Sequence, residues 1–205
     1  MKYIFVAGAP GSKWSSVVKN IYYSPDIDRS DDSAQRSYAH ERAYSGSPMH
    51  MGSYFDPGME FGSWFDQLDR HDKTACESEF DRPFSGSGVR IIKSHVFMHH
   101  IGFLKHNWPD CPIVLVHRGN DACLGWWIRC GGFDITYPDY KPYYKDIETM
   151  YQHIIKQNSD MRPFWDLASF VSNNTELCDS LGIRNPPKEY CQTYTEHKIR
   201  VKVYR

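Results

Sequence analysis

The sequence predicts an α/β protein of three layers, a central parallel sheet flanked by helices. Two observations carry that expectation. Apolar, β-favouring runs alternate with segments of helical periodicity, the pattern of a parallel sheet covered on both faces. The run from Pro112 to His117 is continuously apolar up to its last residue, as a strand buried on both faces should be. At 205 residues, with no linker-like stretch, the chain fits a single domain over 1–205.

The first strand covers Lys2 to Ala7. It runs into the turn Gly8 to Lys13 and then a helix from Trp14 to about Tyr23, half of a βα unit. Between 24 and 88 the composition turns to Ser, Asp, Gly, Pro, Tyr and Met. Within that insertion a helix is expected near Glu60 to Leu68, because Phe61, Trp64, Phe65 and Leu68 fall at i, i+3, i+4 and i+7. So long a polar insertion is often functional, and its aromatics, Tyr54, Phe55, Phe61, Trp64 and Phe65, suit either an acceptor pocket or lid, or a small satellite core. A second strand, Val89 to Ser94, precedes a helix around Val96 to Asn107; after the third strand, Asn120 or Asp121 caps a helix that stops at Gly131-Gly132. Later helices are expected over Lys145 to Asn158 and Thr175 to Leu181, the last closed by Gly182. The alternating Ile199 to Val203 reads as a terminal, half-exposed strand.

Charge narrows the partners. Lysine plus arginine (24) nearly balance aspartate plus glutamate (25), so no basic field argues for nucleic acid and any anion must be held locally. The apolar start is too short for a signal peptide, and no run approaches a membrane span, so a cytoplasmic protein without membrane insertion is expected. Oligomeric state is not legible. Cys76, Cys111, Cys123, Cys130, Cys178 and Cys191 form no C-x-x-C pair and read as reduced, structural thiols. His95 and His99 have the i, i+4 spacing of helical metal ligands, but no H-E-x-x-H glutamate or cysteine pair accompanies them, and no metal is expected.

Candidate chemistry sits at three strand ends, where ligands gather in such sheets. The turn Gly8-Ala9-Pro10-Gly11-Ser12-Lys13 opens a helix, so its amides and the helix dipole suit an anion. It is not a Walker A motif, because Ser12 rather than glycine precedes Lys13. Arg90-Ile91-Ile92-Lys93-Ser94-His95 ends a strand with an ammonium and an imidazole two residues apart, groups that can stabilise charge and accept a proton. The third strand ends in His117-Arg118, where a magnesium-binding kinase would place an aspartate.

Together these segments resemble the PAPS-dependent sulfotransferases, which have a P-loop-kinase-like fold. Ala9 to Ser15 is similar to the family's 5′-phosphosulfate loop, P-[KR]-S-G-T-T; Arg90 to His95 matches its R-x-x-K-T-H run; Val114 to Asp121 resembles the strand ending in R-[DN]-P-x-D. A further echo is Glu176 to Gly182, similar to E-L-C-x-F-L-G. Departures are visible: Gly11 stands at the loop's basic position and Lys13 at its glycine, Gly125 replaces a helix serine, and no R-K-G-x-x-G segment occurs.

The resemblance implies transfer of a sulfuryl group from PAPS to a hydroxyl acceptor, a glycan or small-molecule alcohol, with PAP as product and no metal. It implies His95, Lys93 and Lys13 as catalytic residues, His95 being the general base. Gly11, Ser12, Lys13, Trp14, Ser15 and Ser16 would bind the cofactor, with Arg118 on its 3′-phosphate. Two alternatives stand beside this one: an ATP-using small-molecule kinase, and a non-catalytic nucleotide-binding protein on the same fold.

Overall fold

The computed structural model describes residues 1–31, 53–54, 67–129, 146–190, 194 and 198–205. The helix expected at Glu60 to Leu68 lies largely outside the described residues, as do the side chains of the insertion's aromatics, the Gly131-Gly132 stop, Cys130 and Cys191. Among the described residues the protein is α/β, built on a six-stranded sheet. The strands are β1 (Tyr3–Gly8), β2 (Ser53–Tyr54), β3 (Arg90–Lys93), β4 (Ile113–His117), β5 (Ser169–Val171) and β6 (Arg200–Tyr204). The helices are α1 (Trp14–Tyr22), α2 (Lys73–Asp81), α3 (Ile101–Asn107), α4 (Asn120–Arg129), α5 (Ile147–Trp165) and α6 (Asn174–Leu181).

The strand order is β2-β3-β1-β4-β6-β5. The first four in that order run parallel, whereas β6 is antiparallel to both β4 and β5, so the sheet is mixed rather than wholly parallel. The physical reason lies in where β6 begins. Arg200 pairs with His117, so the chain has returned to the carboxyl end of β4 before turning down the sheet. Alternation in β6 also misled: it is an inner strand with Val201, Lys202 and Val203 buried, not a half-exposed one. Lys202 is tolerated there because its ammonium donates to the Trp165 carbonyl and lies 4.0 Å from the Phe170 ring centroid.

Strand periodicity divides the core. Ile4, Val6, Ile91, Val114, Val116, Val201 and Val203 face one side, packed with Val17, Val18 and Ile21 of α1 and Leu177 and Leu181 of α6. Tyr3, Phe5, Ile92, Ile113 and Leu115 face the other, against Phe80 of α2, Phe97, Leu104 of α3 and Met161 of α5. Helices therefore cover both faces.

Local chemistry accounts for the ends. Asp72, Asp146 and Asn173 cap α2, α5 and α6 by accepting from the amides of Ala75, Thr149 and Glu176. Gly182 takes the left-handed conformation (φ 70°) and closes α6 as expected. Asn120 and Asp121 behave differently from the expected caps: their side-chain oxygens accept from Asn158 and Tyr151 of α5, tying α4 to that helix. The segment after β3 is not one helix but a 3₁₀ turn, His95–His99, followed by α3. Helix α5 continues past Asn158 to Trp165, with Pro163 in its last turn.

Candidate active site

The carboxyl ends of β1, β3 and β4 are adjacent, and β1 is the point at which the order reverses, with β3 on one side and β4 on the other. That crevice is where parallel sheets bind ligands. Gly11, Ser12 and Lys13 follow β1, Lys93 ends β3, His95 lies two residues on, and Arg118 follows β4. The fold thus brings the predicted segments to one edge of the sheet.

The loop after β1 is a Pro-Gly turn. The Ser12 amide donates to the Ala9 carbonyl at 3.0 Å, with Pro10 and Gly11 (φ 77°) in the positions a type II turn favours for them. Gly11 is required twice over: its φ is left-handed, and a Cβ there would meet the Cys123 carbonyl oxygen of α4 at 1.9 Å. The turn consumes the Ser12 amide internally, which the comparison with phosphate loops did not anticipate.

Lys13 follows in a left-handed conformation (φ 66°, ψ 22°) at the N-cap of α1, where its side chain makes no capping bond. This is an unfavourable place twice over. Non-glycine residues avoid that region, and a cation at a helix N-terminus opposes the positive end of the dipole. Its ammonium lies 3.9 Å from the centroid of the Trp126 ring of α4. The Arg118 guanidinium approaches the same ring at 5.8 Å and donates to the Gly11 carbonyl at 3.4 Å. Arg118 Nε and Ser12 Oγ are buried and have no hydrogen-bond partner among the described residues. Ser15 and Ser16 are half-buried in the first turn of α1.

His95 is 5 % exposed and joins the second strand end to this loop. Its Nδ1 lies 2.7 Å from the Gly8 carbonyl oxygen. A carbonyl only accepts, so Nδ1 carries the proton and, in the neutral ring, Nε2 holds the lone pair. Trp14 stacks on the imidazole at 4.1 Å between centroids and 24° between planes, which fixes the ring from the α1 side. Lys93 is fully buried and pairs with Val6, so it shares the α1-facing side of the sheet. Ser94 ends the strand by accepting from the Val96 amide with its side chain.

His95 and His99 diverge, because a 3₁₀ turn has three residues per turn and four-residue spacing no longer aligns them. His99 Nδ1 instead contacts Asp160 Oδ2 of α5 at 2.5 Å. No group of three or more His, Cys, Asp or Glu suited to a metal occurs among the described residues.

Helix α5 supplies residues that sequence reading missed. Gln157 donates to the His95 carbonyl at 3.3 Å and Asn158 to the Arg118 carbonyl at 3.0 Å, so one helix steadies the backbone at both His95 and Arg118. Gln157 sits on the buried stripe Met150, Ile154, Gln157, Met161, and a lone polar residue in an apolar stripe was the available signal. His153, on the same helix, is held below the ordinary histidine range by burial and by the nearby charges of His99, His95 and Lys156. Cys123 is a packed thiol rather than a nucleophile: burial pushes it up to about 12. A separate cavity of about 370 Å³, lined by Met1, Asp110, Pro112, Leu181 and Arg205, lies at the amino ends of the strands, away from this chemistry.

No protein-family model, curated protein or solved structure matches this chain. Among the described residues no helix is long and apolar enough to cross a membrane.

Proposed function

We propose that the protein is a PAPS-dependent sulfotransferase acting on a hydroxyl acceptor, a glycan or small-molecule alcohol. The observation that carries this reading is the bond between His95 Nδ1 and the Gly8 carbonyl, which builds a proton acceptor and an anion-directed loop as one unit. A strained, cationic N-cap beside a half-buried guanidinium supports an anionic ligand, since strain of this kind persists where the surroundings and function demand it. The donor set suits PAPS: Lys13, Ser12 and Ser15 with the first amides of α1 for the 5′-phosphosulfate, and Arg118 for the 3′-phosphate.

When bound, PAPS supplies the sulfuryl group and leaves as PAP. The chain's own part is positioning and charge. His95 Nε2 takes the proton of the acceptor hydroxyl, while the Gly8 carbonyl holds the opposite nitrogen protonated and Trp14 keeps the ring in plane. Lys93, two residues before His95 in the chain, would supply an ammonium to offset the negative charge that develops on the leaving oxygens. The P-loop-kinase-like fold belongs to this proposal, as does the carboxyl-end location of the site.

Calorimetric titration with PAP in the presence of EDTA tests the assignment. Micromolar binding without magnesium is the expected result. Binding of MgATP but not PAP would favour the kinase, and binding of neither would leave a protein without this cofactor.

A further inference from the structure

Trp126 was not among the sequence-derived site residues, yet both loop-end cations converge on its ring. We infer that Trp126 is a positioning residue that holds Lys13 and Arg118 side by side, one cation for each of two anionic groups of the ligand. The inference rests on the proposed anion site and adds the device that assembles it.

Two like charges placed together repel, and each long side chain loses rotamer freedom when fixed. An aromatic face offsets both costs, because its negative quadrupole attracts each cation without consuming its N–H donors. The geometry has that form: Lys13 Nζ stands 3.9 Å and the Arg118 guanidinium 5.8 Å from the Trp126 centroid. The backbone is arranged to keep it so. Gly11 presses on the Cys123 carbonyl three residues before Trp126, and the Arg118 guanidinium donates to the Gly11 carbonyl. Loop and α4 are therefore in direct contact.

Lys13 has no capping role to explain its left-handed backbone, so contact with Trp126 accounts for where its side chain goes. The buried, unpartnered Ser12 Oγ and Arg118 Nε lie in the same loop-and-strand-end unit and point to a ligand with several acceptor oxygens. The pair thus suits a ligand that carries two anionic phosphate groups, rather than a single carboxylate.

The test titrates PAP and, separately, inorganic pyrophosphate into wild type, Trp126→Leu, Trp126→Phe, Lys13→Met and the double variant Trp126→Leu/Lys13→Met, with thermal melts to establish folding. Trp126→Leu should weaken both ligands by roughly tenfold, while Trp126→Phe keeps most of the affinity because it keeps a ring face. The double variant should bind more tightly than the product of the two single losses implies, because the share of the Trp126→Leu loss that acts through Lys13 is already absent in Lys13→Met, whereas a merely structural tryptophan would give additive losses. Unchanged or tighter binding by folded Trp126→Leu, or additive losses, would overturn the inference. Wild type that binds pyrophosphate but not PAP would sink the sulfotransferase reading while the tryptophan comparison still stands on pyrophosphate. Wild type that binds neither would overturn both.

Discussion

Replacing Gly11 by alanine should disrupt the loop more than any other single methyl group near the site. The left-handed φ of 77° costs a side-chain-bearing residue about 1–2 kcal/mol. The new Cβ would stand 1.9 Å from the Cys123 carbonyl oxygen, and backbone cannot yield by changing rotamer. Loop or α4 must shift, adding roughly 1–3 kcal/mol as overpacking does. The sum, about 2–5 kcal/mol, corresponds to a fall in Tm of roughly 5–15 °C for a chain of this size. Scanning calorimetry reads it directly, and Gly125→Ala is the control. That glycine lies inside α4 with nothing among the described residues within 4 Å of a built Cβ, so alanine there should stabilise by about 0.5–1 kcal/mol. A Gly11→Ala variant melting with wild type would refute the close approach of loop and α4 on which the site depends.

His95→Ala should lower sulfuryl-transfer kcat by roughly 10²–10⁴ and leave PAP binding nearly unchanged, read by single-turnover assay and calorimetry; full turnover would remove the base assignment. Arg118→Ala should weaken PAP far more than adenosine 5′-phosphosulfate, which lacks the 3′-phosphate, and equal losses would assign the arginine a structural role. His153 gives a pH dependence of stability. Its folded pKa is depressed, so the unfolded chain binds the proton first; stability is present above the ordinary histidine value and is lost as pH falls below about 6.5 through the folded pKa. Urea melts of His153→Gln across that range should show a shallower acid-side loss than wild type, and an identical slope would contradict the burial of that ring.

The strand ends were legible in the sequence because they are local. An apolar run, a Pro-Gly turn and a helical repeat follow one another over a few residues, and Lys93, His95 and Arg118 sit at run ends whatever the topology. Helix α2 escaped notice because only Cys76 and Phe80 of its nine residues are buried, too sparse a stripe to read as periodic. β5, three residues with two of them exposed, was equally silent.

Other features existed only once distant segments met. The direction of β6 depends on which end of the sheet the chain re-enters, and alternation is the same in either direction. The divergence of His95 and His99 depends on a 3₁₀ rather than an α period, a difference set by the Ser94 cap and the packing of α5. The proton on His95 Nδ1 is decided by a carbonyl 87 residues away, and the pairing of Lys13 with Arg118 by a ring on α4. Sequence determined which chemical groups the chain carries to its strand ends; tertiary structure decided their tautomer, strain and company, because those arise from contacts between residues far apart in the chain.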